Sequence, residues 1–504
     1  MSAVSKVMSV APVGYDASLV EVESDLKAGL PSLQIVGMGS KAIDEAKERV
    51  RSAITNSLLD FPAKKVIINL APAELPKDGT HYDLPIALAI LVGSGQLRQA
   101  EVNGCAFAGE LALDGTLRSI RGTISIAEAT RNGGLTTLYV PSANAAQACL
   151  VEGITVIGVT NLKDLFLHLK KERILQPAQY TPSSASVASV GPTLDDIHGQ
   201  MQAKRAITIA AAGHHNILLS GSPGAGKTML AQTITSLLPS LSADEQIAVT
   251  KLHSLAGEAI DDIITSRPFR SPHHTASRIA LIGGGSKPKP GEISLAHLGV
   301  LFLDEIPEYP RATLEALRQP LEDNVVSIAR AGGHSTYPAN FMLVATMNPC
   351  PCGYFGDEKR ECTCSQQQIL NYQQRLSGPL LDRIDLIVNV SRVKNEELLT
   401  SSTSSKEQHN EAVAKIRQAY ALQFNRYNSS VLHNSNLSSR DVKSKLALSP
   451  DVRQLLTRAA DKLNVSARSY FKIIKVARTI ADLDNSDDIE SRHVAEALQY
   501  RIQK

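Results

Sequence analysis

A glycine-rich segment, with a strand-like stretch before it and a helix-like stretch after it, constrains the fold of this chain most. The segment reads HNILLSGSPGAGKTMLA, from His215 to Ala231. The apolar residues Ile217–Leu219 are typical of a short buried strand, and Lys227 opens a stretch typical of a helix. The glycines let backbone N–H groups turn toward a phosphate, and the amino end of a helix favours an anion. The sequence therefore predicts an ATP site; the alternative is a glycine-rich turn that matches by chance.

The residues of this segment have separate predicted roles. We expect Lys227 to reach the β- and γ-phosphates and the hydroxyl of Thr228 to ligate Mg²⁺. The residues expected to hold the nucleotide are Gly221, Ser222, Pro223, Gly224, Ala225, Gly226, Lys227, Thr228 and, from the next motif, Asp304.

A second motif, GVLFLDEIPEY (Gly299–Tyr309), supplies two acidic residues. Val300–Leu303 are predicted to form a central strand that ends at Asp304 and Glu305. We expect Asp304 to hold Mg²⁺ through water, and Glu305 to polarise the attacking water as general base. The alternative is a buried strand whose acidic end is solvated.

Two further strand ends carry candidate residues. The segment NFMLVATMNP places Asn348 at the end of a third strand, where an amide can orient the lytic water or can cap the strand. The segment LSGPLLDRIDLIVNV places Arg383 just before the strand Leu386–Val390. Arginine suits a finger role because it stays charged and forks onto phosphate oxygens. The alternative is an ion pair of Arg383 with a neighbouring aspartate.

Four of the six cysteines form a cluster with the pattern C-x-C and C-x-C. Four thiolates can close a tetrahedron around Zn²⁺ with no position left for a substrate, so such a site is structural. The alternatives are disulfides or free thiols. A reducing compartment makes disulfides less favourable. The predicted zinc ligands are Cys350, Cys352, Cys362 and Cys364.

Length and composition bound the organisation of the chain. Its 504 residues suggest two to four domains, and a net charge of +2 argues against a globally basic coat for nucleic acid. No apolar run has membrane-spanning length and the amino end lacks a secretory apolar region, so we expect a cytoplasmic protein with no membrane partner. Predicted local elements are the helix Lys41–Ser57 and the strands Lys64–Pro72 and Thr136–Ser142.

The motifs together resemble the AAA+ ATPases of the magnesium-chelatase clade, and more closely the bacterial YifB/ComM family. The resemblance is carried by these segments: GQMQAKRAITIAAAGHHNILLSGSPGAGKTMLA, RPFRSPHHTAS, GGGSKPKPGEISLAHLGVLFLDE, NPCPCGYFGDEKRECTC, RLSGPLLDRIDL and SARSYFKIIKVARTIADL. It implies an α/β P-loop domain, with a parallel sheet and helices on both faces, and a carboxyl-terminal helical lid.

The resemblance also implies roles for single residues. Arg383 matches a finger that acts on the ATP of the neighbouring subunit, and Arg468 matches the second sensor on the lid; its alternative is an ordinary helix-surface charge. A finger supplied by a neighbour requires a ring, so a homo-hexamer is implied. An inserted hairpin would carry Lys287 and Lys289 toward the pore, or would be a solvated loop.

The amino-terminal segment resembles another fold. The sequences APAELPKDGTHYDLPIALAIL and GELALDGTLRSIRGTISIAEATRNGGLTTLYVPSAN are similar to the Lon protease domain, an α+β fold related to ribosomal protein S5. Its Ser–Lys dyad would fall on His81 and Ile124, and isoleucine can accept no proton. We therefore expect a module without peptidase activity, with His81 at a surface or an interface.

These observations divide the chain into five parts. They are residues 1–172 (Lon-protease/S5-like domain without a catalytic dyad), 173–193 (linker), 194–393 (AAA+ core with the inserted hairpin and the four-cysteine loop), 394–410 (polar linker) and 411–504 (helical lid).

The predicted function is that of an ATP-driven hexameric motor acting on single-stranded or branched DNA. The resemblance to ComM-like proteins implies branch migration during natural transformation. The alternative is a chelatase-like motor for protein remodelling or metal insertion, acting on a partner protein. An ATP-dependent protease is excluded by His81 and Ile124.

Overall fold

The computed structural model of this chain describes residues 4–37, 41–180, 191–259, 262–285, 289–330, 333–357, 359–392, 407–429, 432–463 and 465–501. Residues 181–190 of the first predicted linker, residues 394–406 of the second and the predicted pore residue Lys287 lie outside the described residues. Within the described ranges, no helix is long and apolar enough to cross a membrane.

The amino-terminal domain is built on a mixed sheet with helices on both faces. Its elements are β1 (Ser5–Val13), β2 (Asp16–Lys27), β3 (Ser32–Val36), α1 (Lys41–Asn56), β4 (Lys65–Ala71), α2 (Asp83–Gly93), β5 (Cys105–Phe107), β6 (Glu110–Leu111), β7 (Leu117–Arg118), α3 (Thr123–Asn132), β8 (Thr137–Pro141), α4 (Ala145–Ala148), β9 (Thr155–Val159) and α5 (Leu162–Leu169).

The seven-stranded sheet has the order β3-β4-β2-β1-β5-β8-β9. β1 pairs antiparallel with β2, and β2 with β4, whereas the other neighbours run parallel. The predicted helix α1 and the predicted strands β4 and β8 are confirmed within one residue at each end. β4 turns Val66, Ile68 and Leu70 into the core, as its alternating pattern requires.

The AAA+ core has more elements but a smaller sheet. Its elements are α6 (Met201–Gly213), β10 (Ile217–Ser220), α7 (Lys227–Leu237), α8 (Ala243–Ala256), β11 (Phe269–Arg270), α9 (Arg278–Ile282), β12 (Gly283–Gly284), β13 (Lys289–Pro290), α10 (Glu292–Leu295), β14 (Val300–Leu303), α11 (Arg311–Ala316), α12 (Pro320–Asp323), β15 (Val325–Arg330), β16 (Gly333–Pro338), β17 (Met342–Met347), α13 (Gln366–Gln373), α14 (Gly378–Leu381) and β18 (Leu386–Asn389).

The core sheet is entirely parallel, with the order β11-β14-β17-β10-β18. Ile217 and Leu219 of β10 pack on one face with α6 and α7, whereas Leu218 packs on the other face with α8, α9 and α10. Both faces are therefore covered by helices, which explains why the strands read as unbroken apolar runs. The predicted α/β class is confirmed.

This core contains two hairpins. β12 and β13 form the shorter one, which lies in the predicted insertion; its exposed Lys289 pairs with Gly284, on the side of the turn. β15 and β16 pair over six residues and form a longer hairpin that the sequence motifs did not indicate.

The carboxyl-terminal part is a helical lid. Its helices are α15 (Glu407–Tyr427), α16 (Ser439–Lys445), α17 (Pro450–Leu463), α18 (Ala467–Leu483) and α19 (Ser491–Gln499). α15 begins inside the stretch predicted as a polar linker. The lid shares one apolar core with α6 and α7, and the amide of Gln423 donates to the carbonyl of Ala212 at 2.8 Å.

The amino-terminal domain packs on the AAA+ core through α3 and α8. The backbone N–H of Gly122 donates to Oγ of Ser254 at 3.0 Å. Nζ of Lys251 lies 2.5 Å from a carboxylate oxygen of Glu128 and 3.9 Å from the centroid of the Tyr15 ring. This contact buries Gly122, the residue before α3.

His81 does not lie where the sequence analysis put it. It is only 5% exposed, and its Nε2 lies 2.9 Å from the carbonyl oxygen of Val10. Burial lowers the pKa of His81 to about 4, so the ring is neutral near pH 7. The expectation of a surface or interface residue was wrong, because His81 connects the start of α2 to β1. Ile124 lies in the first turn of α3 and is fully buried.

Candidate active site

The glycine-rich loop, residues Gly221–Gly226, joins the end of β10 to the start of α7. We refer to it as the phosphate loop. A Cβ at Gly221 would collide with the carbonyl of Val390 at the end of β18. Gly224 and Gly226 have φ angles of 76° and 81°, a region that other residues rarely adopt. Glycine is therefore needed at these positions for the loop to close over the amino end of α7.

Lys227 lies under the phosphate loop. Its Nζ donates to the carbonyl oxygens of Gly221 at 2.6 Å and Ser222 at 3.0 Å, and to Oδ1 of Asn348 at 3.1 Å. Burial lowers its pKa, while the nearby Asp304 and Glu305 act in the opposite direction. The structure thus brings together Lys227 and Asn348, which are 121 residues apart.

The acidic motif faces the phosphate loop from the end of β14. The hydroxyl of Thr228 lies 3.5 Å from Oδ2 of Asp304, and the hydroxyl of Thr346 donates to Oδ1 of the same carboxylate. Glu305 is exposed beyond the strand end, and its backbone N–H donates to Oγ1 of Thr346 at 3.0 Å. Oxygen ligands of this kind suit Mg²⁺, and the free carboxylate of Glu305 suits a proton acceptor.

Two residues of the site were missed from the sequence. Thr346 contacts both acidic residues of the motif, Asp304 and Glu305. It lies in β17, two positions before Asn348, and that position was a usable signal. Gln200, which has a left-handed φ of 52°, donates from Nε2 to the carbonyl of Ala225 at 2.6 Å. Its position before α6 gave no hint of this contact.

The two candidate arginines, Arg383 and Arg468, lie together and away from the phosphate loop. We refer to them as the arginine pair. Both guanidinium groups bind the carboxylate of Glu322, that of Arg468 at 3.1 Å. Arg383 also donates to the carbonyls of Arg318 at 3.1 Å and Pro379 at 2.7 Å. The neighbouring aspartates that the sequence suggested as partners of Arg383 are therefore replaced by Glu322.

The arginine pair lies at the amino ends of the core strands, whereas the phosphate loop lies at their carboxyl ends. Nδ2 of Asn216, the residue before β10, donates to the carbonyl of Arg383 at 3.0 Å. The phosphate loop leaves the other end of β10, four residues later, which corresponds to about 13 Å along a strand. Within one chain, these guanidinium groups are thus separated from the lysine and carboxylates of the site.

A buried ion pair holds the arginine pair in place. Asp385, two residues after Arg383, binds Nζ of Lys472 at 2.8 Å, and Lys472 lies one turn after Arg468 on α18. The carboxylate also accepts from the backbone N–H of Asn216 at 3.1 Å. Burial opposes the charge of Asp385, yet Lys472 and a hydrogen bond with His215 hold its pKa below the usual range. The loop that bears one arginine is therefore fixed to the helix that bears the other.

The four cysteines converge in the loop between β17 and α13. Their sulfur atoms all lie within 4.8 Å of one another, and Sγ of Cys350 is 3.3 Å from Sγ of Cys352 and 3.6 Å from Sγ of Cys362. These separations exclude S–S bonds of about 2 Å. They approach the spacing of about 3.8 Å that a tetrahedron of sulfurs 2.3 Å from Zn²⁺ requires. The cluster could therefore hold one metal ion.

Three family models match this chain. Residues 193–398 match "Magnesium chelatase, subunit ChlI", residues 22–144 match "Subunit ChlI of Mg-chelatase", and residues 406–501 match "Magnesium chelatase, subunit ChlI C-terminal". The matches fall on the core, the amino-terminal domain and the lid.

Curated relatives are similar to nearly the whole chain. The chain is 42% identical to YifB of Escherichia coli (strain K12) over 493 residues, 97% of this chain and 96% of YifB. It is 43% identical to the competence protein ComM of Haemophilus influenzae over 502 residues, 98% of this chain and 97% of ComM. The chloroplastic magnesium-chelatase subunit ChlI of Glycine max is 20% identical over 319 residues, 57% of this chain and 69% of that protein.

Proposed function

This chain belongs to the YifB/ComM family of magnesium-chelatase-like AAA+ proteins, and on that premise we propose that it hydrolyses ATP to move DNA. The family implies ATP and Mg²⁺ as ligands. One observation carries the proposal. The phosphate-binding and water-activating groups meet at the carboxyl ends of the core strands, while the arginine pair lies at the amino ends.

The residues at the carboxyl ends of the core strands fit this chemistry. Lys227 and the backbone of the phosphate loop would hold the phosphates, and Thr228 and Asp304 would hold Mg²⁺. Bound Mg²⁺ supplies positive charge that stabilises charge developing on the phosphate oxygens. Glu305 accepts a proton from water, and the amide of Asn348 orients that water.

The distance of the arginine pair from its own phosphate loop supports a ring. A site whose own candidate finger and sensor arginines lie elsewhere can receive them from the next subunit, where they stabilise transition-state charge. Arg383 and Arg468 would both face the neighbouring subunit, because Glu322 and the Asp385–Lys472 ion pair hold them together. We therefore propose a homo-hexamer in which both arginines act on the neighbour's ATP.

DNA is the substrate we favour. The hairpin of β12 and β13 carries the exposed Lys289, which suits contact with phosphate groups. The Haemophilus relative bears the name competence protein, and competence concerns the uptake of DNA. The proposed activity is branch migration on single-stranded or branched DNA during natural transformation. The amino-terminal domain contributes no peptidase chemistry here, since His81 and Ile124 are buried.

We also propose Zn²⁺ as the occupant of the four-cysteine cluster. Four thiolates around one ion complete its coordination, so the site is structural. Thiols stay reduced in the cytoplasm, which is the compartment that we propose for the protein.

An ATPase assay with DNA tests the proposal. Turnover is measured alone, with single-stranded DNA and with forked DNA, each at low and high salt. We expect stimulation that fades at high salt, because contacts with DNA phosphates release counterions. ATP turnover that ignores both DNA forms, together with no retention of DNA, would instead favour a motor that acts on a partner protein, as the chelatase relatives suggest.

A further inference from the structure

The four-cysteine segment, residues 350–364, packs directly on the phosphate loop. We refer to it as the cysteine loop. Gly353 has a left-handed φ of 86°, and a Cβ added there would lie 2.6 Å from ring atoms of Pro223. Gly353 directly follows Cys352, so the residue next to the first cysteine pair is in contact with the wall of the candidate ATP site. Only a glycine permits this approach without displacing Pro223.

A polar contact joins the two loops at a second point. The side chain of Asp357 is 4% exposed, and its carboxylate accepts a hydrogen bond from the backbone N–H of Lys359 at 3.0 Å. That hydrogen bond and the nearby hydroxyl of Ser222 both lower the pKa of Asp357. Arg392 lies 3.4 Å from the same carboxylate and donates to the carbonyl of Pro223 at 3.0 Å. Asp357 therefore links the segment between the cysteine pairs to two residues of the phosphate loop.

The cysteine loop is held by turns and by contacts at the sulfurs. None of its described residues lies in a helix or a strand, and its backbone turns include the hydrogen bond from the N–H of Gly353 to the carbonyl of Cys350 at 3.0 Å. Two contacts converge on the sulfurs: the N–H of Phe355 donates to Sγ of Cys350 at 3.3 Å, and the N–H of Cys352 donates to Sγ of Cys364 at 3.4 Å. Four neutral thiols would not hold this arrangement by themselves, and four thiolates would repel one another. A metal ion bound by four thiolates would hold it.

We propose that a metal ion on Cys350, Cys352, Cys362 and Cys364 controls nucleotide binding, because it fixes Gly353 and Asp357 against Pro223 and Ser222. The chemical class of the ligand is a divalent cation that prefers soft sulfur donors, and Zn²⁺ fits it. The inference rests on the proposed ATP site and adds regulation to it. By linkage, a nucleotide in the phosphate loop raises the affinity of the cysteines for the metal by the same factor.

The test compares nucleotide affinity in the metal-loaded and metal-stripped full-length protein. Zinc per chain is measured by elemental analysis, with about one expected. A zinc-selective chelator then removes it while Mg²⁺ is kept in excess, and the dissociation constant of a fluorescent ADP analogue is measured before and after. We expect binding to weaken by about tenfold or more, and to recover when Zn²⁺ is added back.

A matched pair of variants separates the link from the metal site. Asp357→Asn should retain zinc, bind the ADP analogue about tenfold more weakly, and lose less affinity on stripping than the wild type does, because only the contact of Gly353 with Pro223 then remains to be released. Glu361→Gln changes an exposed carboxylate of the same loop and should behave like the wild type. Circular dichroism of each sample confirms that the fold persists.

Each failure is distinct. Stoichiometric zinc with unchanged affinity after stripping overturns the coupling and leaves both sites standing. A folded protein without metal overturns the zinc assignment and the coupling with it. A zinc-loaded protein that binds no nucleotide overturns the proposed function itself.

Discussion

The Asp385–Lys472 ion pair offers the sharpest test of how the arginine pair is held. Asp385 is 8% exposed and Lys472 15% exposed, so both charges are largely removed from water. Replacing Lys472 by methionine leaves a buried carboxylate without its direct ionic partner. Breaking a buried pair in this way costs about 3–5 kcal/mol. Asp385→Asn should cost less, because the flexible lysine side chain can turn its ammonium toward water.

The two changes should not add. In the double variant, methionine and asparagine meet without an isolated charge, so its loss should be smaller than the sum of the single losses by about 1–3 kcal/mol. Since a multidomain chain does not unfold in two states, the readouts are the melting temperature and native-state hydrogen exchange of peptides from β18 and α18. Lys462→Met, an exposed change on α17, is the control and should stay within about 0.5 kcal/mol of the wild type.

The same variants have a functional signature. Lys472→Met should reduce ATP turnover while nucleotide binding persists, since the ion pair lies at the edge of the arginine pair and not at the phosphate loop. Additive losses within about 0.5 kcal/mol, or normal turnover in a destabilised Lys472→Met protein, would refute the bracing argument.

Further predictions concern the site and its surroundings. Lys227→Ala should abolish nucleotide binding in a fluorescence titration, and Glu305→Gln should bind ATP without turning it over; normal turnover in the latter would remove its role as base. Arg383→Ala and Lys227→Ala chains, each inactive alone, should regain ATP turnover when mixed, and an additional Arg468→Ala change in the first chain should leave this rescue intact; no rescue would contradict a shared site. Because burial lowers the pKa of His81 to about 4, against about 6.5 when unfolded, its contribution to stability is complete above pH 6.5 and falls toward pH 4. His81→Gln should therefore reduce the loss of unfolding free energy with acid by up to about 1.4 kcal/mol per pH unit, so its melting temperature should fall less steeply than that of the wild type. An equal slope in both proteins would be inconsistent with that burial.

Local patterns predicted the parts of the site that depend on neighbouring residues. Val300–Leu303 is the strand that its apolar run indicated, and the phosphate loop begins and ends with the elements expected around it. Such segments are determined by buried apolar strands and by glycines with unusual φ angles, both of which can be read along the sequence.

Contacts between distant parts of the chain could not be predicted in this way. Glu322 is 61 residues from Arg383 and 146 from Arg468, and no local pattern distinguishes it from other exposed acids. His81 was misplaced for a related reason: it adjoins a polar turn, but β1 covers it, and that contact spans 71 residues. α15 begins early because Asp195, at the very start of the core, accepts the N–H of His409 at 3.1 Å.

The docking of α3 on α8 bears on whether a serine–lysine dyad could be introduced into the amino-terminal domain. Ile124, the position that the sequence analysis matched to the lysine, is fully buried in an apolar cluster against which Ile247 of α8 packs. An ammonium introduced there would lose its hydration, at a cost of several kcal/mol. Placing serine at position 81 and lysine at position 124 would thus weaken the contact between the amino-terminal domain and α8, so the packing of the two parts itself opposes such a dyad.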